Sequence, residues 1–323
     1  MSEKISPNLG LSLVRVTEAA ALAAGRWMGR GDPIAANLTA TAAMADTFNT
    51  LDVDGCIVIG EEGRLGLASP LNSGNHIGNR KGPPMDIVAD PIDGTSLLIK
   101  GSPGAISVAG IAPRGSMWAP APAVYMEKII VGSRAAEALV PECMDAPAAW
   151  TLALVARVTN KHVRDLVVFV LDRPRHADLI KEIQATGARV IARSHGDVSG
   201  ALMAASQDLN VDILMGIGGV SEGVIAACAV KSLRGAMLGR LAPQSPEEAE
   251  AVRVAGLDRQ QILTSNELVN GNSIYFAATG ISNGGVLNGV HYSGAMAETD
   301  SIILRCETGS RRSVHTEHLL ELE

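Results

Sequence analysis

Aromatic residues are scarce in this chain, 3% of 323 positions. The core implied by a 47% hydrophobic content must therefore close largely on small aliphatic side chains and on backbone. Alanine and the 34 glycines suit such close helix and strand contacts. Cysteine is sparse too. Cys56, Cys143, Cys228 and Cys306 are far apart and form no C-x-x-C pair, which excludes a zinc ribbon and a disulfide framework and reads as reduced thiols. No stretch reaches the ~18 uninterrupted apolar residues that span a bilayer, and the first ten residues carry no basic segment leading into an apolar one. The expected location is the cytoplasm, with no membrane partner. Nor is there a dense basic run: 27 basic against 34 acidic residues give a formal charge of −7, which argues against nucleic acid.

What the chain does carry is Asp90-Pro91-Ile92-Asp93-Gly94-Thr95, two carboxylates, a glycine turn and a hydroxyl directly after the apolar run Ile87-Val88-Ala89. Carboxylate oxygens are hard ligands suited to Mg²⁺ or Mn²⁺, which take one or two protein carboxylates and complete an octahedron with water and substrate phosphate. The run reads as a strand ending where α/β proteins bind ligands, with Pro91 and Gly94 fixing the turn. Two more acids follow apolar strands, Glu61 after Ile57-Val58-Ile59-Gly60 and Glu222 after Gly216-Ile217-Gly218-Gly219-Val220-Ser221. Four carboxylates at four strand ends suggest one metal cluster of Glu61, Asp90, Asp93 and Glu222, with Thr95 orienting a metal-activated water. Glu222 taken alone also fits an acid favoured by a helix N-terminus.

Helical spacing over 11–28 and 37–49, an apolar strand over 55–59, and strands over 105–112 and 125–131 give the first part of the chain an α+β texture. Residues 63–84, rich in Gly, Pro, Asn and Ser, read as a long flexible excursion over the rim of the site. After a polar linker at 159–162 the pattern becomes βαβ: strands at 166–171, 188–191 and 211–215, helices at 176–186, 198–205 and 221–231, and a glycine turn at 216–219. Segments 273–279 and 301–305 read as strands returning to the sheet. Two domains are expected, 1–160 and 161–323, the first holding the metal.

Arg173 and Arg175 follow one of these strands, where paired guanidiniums suit a phosphate. The glycines at 216, 218 and 219 precede a helix start whose N–H groups can meet a phosphate or sugar oxygen. Asp197 either bonds a sugar hydroxyl or caps the next helix, and Tyr125 is compatible with plain core. A dinucleotide-binding reading of the 216–223 glycines fails on spacing, since G-x-G-x-x-G is absent.

Taken in order, these segments, together with Val14-Arg15-Val16-Thr17-Glu18, Gly29-Arg30-Gly31-Asp32, Tyr125-Met126-Glu127-Lys128, Gly196-Asp197-Val198 and Ala278-Thr279-Gly280-Ile281, make the chain resemble the class II fructose-1,6-bisphosphatases, within the lithium-sensitive sugar and inositol phosphatases. The resemblance covers nearly the whole chain. It implies a layered α-β-α-β-α sugar-phosphatase fold, with an N-terminal α+β part and a C-terminal α/β part that binds the sugar phosphate. It further implies hydrolysis of the 1-phosphate of fructose 1,6-bisphosphate or a related sugar phosphate, with Mg²⁺ or Mn²⁺, in a homo-oligomer (dimer or tetramer). Carried over residue by residue, it makes Glu61, Asp90, Asp93 and Glu222 metal ligands, with Glu61, Asp90 and Thr95 catalytic. The substrate residues are Asp93, Gly94, Thr95, Tyr125, Arg173, Arg175, Asp197 and Gly219, with His195, which stands where the family has aspartate.

Other departures cluster at the same place. Pro33 and Asn37 replace a lysine and a metal-binding aspartate, an acidic position has become Gly63 with Arg64 next to it, and Arg173 replaces lysine. Loss of a carboxylate and a cation is expected to weaken one metal position. The alternative to a working enzyme is a catalytically weak paralogue that binds a sugar phosphate or a partner subunit.

Overall fold

The structure is a computed structural model and describes residues 8–60 and 69–320. The chain forms two compact units, residues 1–117 with 271–323, and residues 118–270.

In the first unit α1 (Leu9–Gly25) and α2 (Pro33–Phe48) precede β1 (Asp54–Ile59), β2 (His76–Ile77), β3 (Pro84–Asp93), the short helix α3 (Thr95–Ile99) and β4 (Ile106–Pro113). Asp32 starts α2, its Oδ1 accepting the Ala35 N–H at 2.9 Å with Pro33 at the first helical position, the arrangement that a helix start favours. Strands β1 and β3 run parallel, so their carboxyl ends share one sheet edge. One face of this sheet packs on α1 and α2 through Leu13, Val16, Ala20, Met44 and Phe48, among others. Between the larger of these side chains, Ala20, Ala21, Ala24, Ala36 and Ala40 are fully buried in the same cluster, small residues that let helix and sheet approach closely.

The second unit contains β5 (Tyr125–Val131), α4 (Ala148–Thr159), β6 (Val167–Leu171), α5 (Ala177–Ala185), β7 (Arg189–Arg193), α6 (Asp197–Ala205), β8 (Ile213–Gly219), α7 (Val220–Ser232), β9 (Ala236–Leu241), α8 (Pro246–Val254), β10 (Leu263–Thr264) and α9 (Ser265–Leu268). Its six-stranded sheet has the order β10-β9-β5-β8-β6-β7, with β6 parallel to both β7 and β8. Helices α4 and α5 cover one face through Leu152, Val155 and Ile183. On the other, Gly200 of α6 lies directly over Phe169 and Gly223 of α7 over Met126.

The chain then returns to the first unit as β11 (Tyr275–Gly280), β12 (His291–Ser293), β13 (Met296–Arg305) and β14 (Ser310–Leu319), completing an eight-stranded mixed sheet, β12-β13-β11-β4-β3-β1-β2, with β14 on β13.

The α/β class and the βαβ alternation hold. The division near residue 160 does not coincide with the two units. The polar residues there form a short connection within the second unit: Asn160, at φ 54°, ends α4, and β6 follows after a single turn. The glycine turn expected at 216–219 is also a strand, because Tyr125 to Val131 pairs residue by residue with β8 through Gly219. No helix among the described residues is long and apolar enough to cross a membrane.

Candidate active site

The central feature of the first unit is a register fault in β3. Asp90 pairs with Val108 and Asp93 with Ile106, so three residues of β3 span what two residues of β4 span. A regular strand would turn Asp90 and Asp93 to opposite faces. The extra residue of this β-bulge resets the alternation, and the core shows the switch directly: Met85, Ile87 and Ala89 pack against the α1 and α2 cluster, and the next to do so is Ile92. Asp90 and Asp93 therefore share the opposite face, both buried at 1% and 3% exposure. Pro91, without an N–H, sits inside the fault where a ladder donor is dispensable. The Asp90 Oδ1 accepts the Ile92 N–H at 2.9 Å, which fixes its carboxylate.

Gly94 then turns the chain with φ 97°, a conformation that suits glycine, and α3 begins at Thr95. The Thr95 hydroxyl donates to the Ile92 carbonyl at 3.2 Å and accepts the Asn37 Nδ2 at 3.4 Å. That amide also donates to the Pro33 carbonyl at 2.8 Å. The loop before α2 is tied to the same helix, Gly29 N–H to the Leu98 carbonyl at 3.0 Å and Gly31 N–H to the Ile99 carbonyl at 3.1 Å. So Asp90, Asp93, Gly94 and Thr95 are brought together, with Asn37 beside the hydroxyl. Glu61 lies outside the described residues, as does the start of the 63–84 segment. Within either unit, no three described His, Cys, Asp or Glu side chains group as a metal site.

In the second unit the parallel strands β6, β7 and β8 bring Arg173, Arg175, His195, Asp197, Gly219 and Glu222 to one sheet edge, and the antiparallel β5 adds Tyr125, opposite Gly219. The Arg175 guanidinium lies 5.2 Å from the Tyr125 ring centroid, a cation–π distance, and bonds the Ile217 carbonyl through Nη2 at 2.9 Å. Burial lowers the Arg175 pKa; Tyr125, Asp197 and Glu222 oppose that effect, and Arg173 adds to it. The Glu222 carboxylate accepts the Ser221 hydroxyl at 2.8 Å. A Cβ on Gly219 would fall 1.9 Å from its Oε2, so glycine there makes room for the acid.

Asp197, 6% exposed, does not cap α6. Gly196 is the residue at the cap, and the Asp197 carboxylate pairs with the ammonium of Lys128, 1% exposed. Burial pushes the Asp197 pKa up, and the lysine charge works against that rise. A Cβ on Gly218 would lie 1.9 Å from Asp197 Oδ2 and 2.6 Å from Lys128 Nζ. His176 joins two strand ends: Nδ1 donates to the Leu171 carbonyl at 2.6 Å and Nε2 accepts the Ile217 N–H at 2.8 Å. That pattern requires a neutral ring, and burial lowers its pKa.

Lys128 and His176 were not among the residues expected at the site, and Gly218, expected to offer its N–H to a phosphate or sugar oxygen, instead makes room for Asp197 and Lys128. The signal for Lys128 was present, a lone cation in the apolar run Ile129-Ile130-Val131 of a central strand, which has to find a buried acid. His176 gave no signal of its own beside Arg175. Chemically, one cluster is a pair of buried hard oxygen ligands next to a fixed hydroxyl, and the other a guanidinium-rich edge with one buried ion pair.

The chain matches the family model described as bacterial fructose-1,6-bisphosphatase, glpX-encoded, over residues 7–318. It is 37% identical over 326 aligned positions to a class 2 fructose-1,6-bisphosphatase of Haemophilus influenzae, covering 97% of this chain and 96% of that protein. It is 34% identical, over the same shares, to fructose-1,6-bisphosphatase 1 class 2 of Escherichia coli K12.

Proposed function

Because the chain belongs to the class 2 fructose-1,6-bisphosphatase family, a family of phosphoric monoester hydrolases, we propose that it removes the 1-phosphate of fructose 1,6-bisphosphate or of a related sugar bisphosphate in the cytoplasm. The observation that supports this most is the β3 bulge, which turns two buried carboxylates three residues apart to one face and delivers the Thr95 hydroxyl two residues further on.

The donors fit a divalent cation: ionised carboxylates are acceptor-only oxygen ligands. Asp90 and Asp93 would hold Mg²⁺ or Mn²⁺, with Glu61 and Glu222 assigned to the same ligand set by the resemblance, and the ion would supply a water of lowered pKa and compensate phosphoryl charge. Thr95, its hydroxyl oriented by Asn37 and Ile92, positions the attacking water. Arg173 and Arg175 bind phosphate oxygens, the second held over the Tyr125 ring. His195 and Asp197 meet sugar hydroxyls, Lys128 keeps the Asp197 carboxylate ionised and aimed, and Gly94 and Gly219 leave space where a side chain would intrude.

The second reading, a weak paralogue that binds a sugar phosphate or a partner subunit, draws on Asn37, whose amide stands where a carboxylate was expected. We favour the enzyme, since Asp90, Asp93, Thr95 and Arg175 are retained and Arg173 keeps a cation where lysine was expected. Phosphate release from a panel of sugar mono- and bisphosphates, assayed with Mg²⁺ and with Mn²⁺, decides between them. Release restricted to sugar bisphosphates is the expected result, and no release from any member rejects the hydrolase.

A further inference from the structure

One capping motif opens two helices of the second unit, and its acid does different things in each. At α9 the acid returns to its own helix, Glu267 Oε2 accepting the Thr264 N–H at 2.8 Å in a complete capping box, as an acid three residues after the cap usually does. Helix α8 starts with the same spacing, Ser245-Pro246-Glu247-Glu248. Half of the box forms there, since Ser245 Oγ accepts the Glu248 N–H at 3.1 Å. The other half is diverted. Glu248 Oε1 accepts the Val124 and Tyr125 N–H groups, each at 2.8 Å, and Oε2 takes the Gln244 N–H at 2.8 Å.

Val124 and Tyr125 stand at the start of β5, where the sheet no longer provides for them. The ladder from β5 to β9 begins only at Met126, although the Tyr125 carbonyl still accepts the Ala242 N–H at 3.0 Å. Val124 is 55% exposed. A carboxylate holds N–H donors roughly twice as strongly as a neutral acceptor, so this one side chain clamps the first residue of the strand. That residue is the platform for a cation: the Arg175 guanidinium lies 5.2 Å from the Tyr125 ring centroid, and its other tie is the Ile217 carbonyl.

We propose that Glu248 is a positioning residue for the phosphate-binding arginine. It fixes the start of β5, which fixes the Tyr125 ring, which holds the Arg175 guanidinium ready for a substrate phosphate. This role rests on the assignment of Tyr125 and Arg175 to the substrate site made under the proposed function. Arg175 grips a phosphate and does not activate the attacking water, so its displacement removes binding common to ground state and transition state, which is read in KM and not in kcat.

Two conservative variants separate reach from charge. Glu248→Asp keeps a first-turn acid, which a helix start favours, but withdraws the acceptor from β5; Glu248→Gln gives up the charge and keeps an oxygen at the right length. In steady-state hydrolysis of fructose 1,6-bisphosphate with Mn²⁺ by the full-length protein, Glu248→Asp is expected to raise KM by about tenfold with kcat within about threefold, and Glu248→Gln to raise KM by less than about threefold. On a Tyr125→Leu background, where the platform is already gone, Glu248→Asp is expected to add less than about twofold. Far-ultraviolet circular dichroism checks that each variant keeps its fold. An unchanged KM in Glu248→Asp, a loss confined to kcat, or full additivity with Tyr125→Leu overturns the positioning role and leaves the phosphatase reading standing. A parent protein that neither hydrolyses fructose 1,6-bisphosphate nor binds it in calorimetry overturns both.

Discussion

The Asn37 amide and the Thr95 hydroxyl are joined at 3.4 Å, and the direction of that bond is set by chemistry: Nδ2 can only donate, so the Thr95 proton goes to the Ile92 carbonyl. A carboxylate at position 37 reverses this. It can only accept, so it draws the Thr95 proton toward itself, adds a negative charge beside Asp90 and Asp93, and abandons the Pro33 carbonyl. The prediction for Asn37→Asp is a metal requirement for sugar-bisphosphate hydrolysis lowered by about tenfold or more, with roughly 1 kcal/mol lost in stability from the broken Pro33 bond. Activity measured across a Mn²⁺ titration checks it, and an unchanged titration removes Asn37 from the site.

Asp90→Asn keeps the shape of the side chain and its bond to the Ile92 N–H while removing the charge. Changes in the outer shell of metal sites already cost 10–100-fold, so loss of a ligand is predicted to lower phosphate release by more than about a hundredfold and to abolish the heat of Mn²⁺ binding in calorimetry. Wild-type kinetics in this variant would reject the ligand assignment.

The motif around these residues was legible because its chemistry is local: carboxylates, glycine and hydroxyl lie within six positions after an apolar run. The bulge that makes them useful was not, since Asp90 and Asp93 fall on opposite faces under period-two alternation and only the pairing partners Val108 and Ile106 reveal the reset. Helices with strong spacing, such as α1 and α2, were read within a few residues. The strand through Gly216 and Gly219 was misread as a turn because glycine is a weak strand former. Here its missing Cβ is the reason it is used, making room for His176, Asp197 and Glu222. The unit boundaries were hidden for a topological reason: strands after residue 270 rejoin the first sheet, and no local pattern records which sheet a strand enters.

Gly218→Ala follows from that packing. The new methyl would sit 1.9 Å from Asp197 Oδ2 and 2.6 Å from Lys128 Nζ, and the ion pair cannot yield easily, being buried on all sides. A loss of about 1–3 kcal/mol is predicted from overpacking. Lys128→Met is predicted to cost more, about 3–5 kcal/mol, because it strands a buried carboxylate. Urea unfolding of both variants ranks them, and a Lys128→Met protein as stable as the parent would show that Asp197 is not charged there.

His176 supplies the pH dependence. Its two bonds, Nδ1 to the Leu171 carbonyl and Nε2 from the Ile217 N–H, hold only for the neutral ring, and burial keeps the folded pKa below the ordinary 6.5. The unfolded chain therefore binds a proton first as pH falls. Stability from this group is complete above about pH 6.5 and is lost as pH drops toward the lowered folded pKa, at no more than about 1.4 kcal/mol per pH unit for one proton. Asp197 tilts the curve the other way, since its raised pKa means stability is lost as pH rises through it, so the parent alone does not isolate the histidine. The difference between the parent and His176→Asn does: the parent is predicted to lose stability relative to the variant between about pH 6.5 and 5. Parallel unfolding curves over that range would mean that the imidazole is already protonated in the folded protein and that Ile217 N–H has another acceptor.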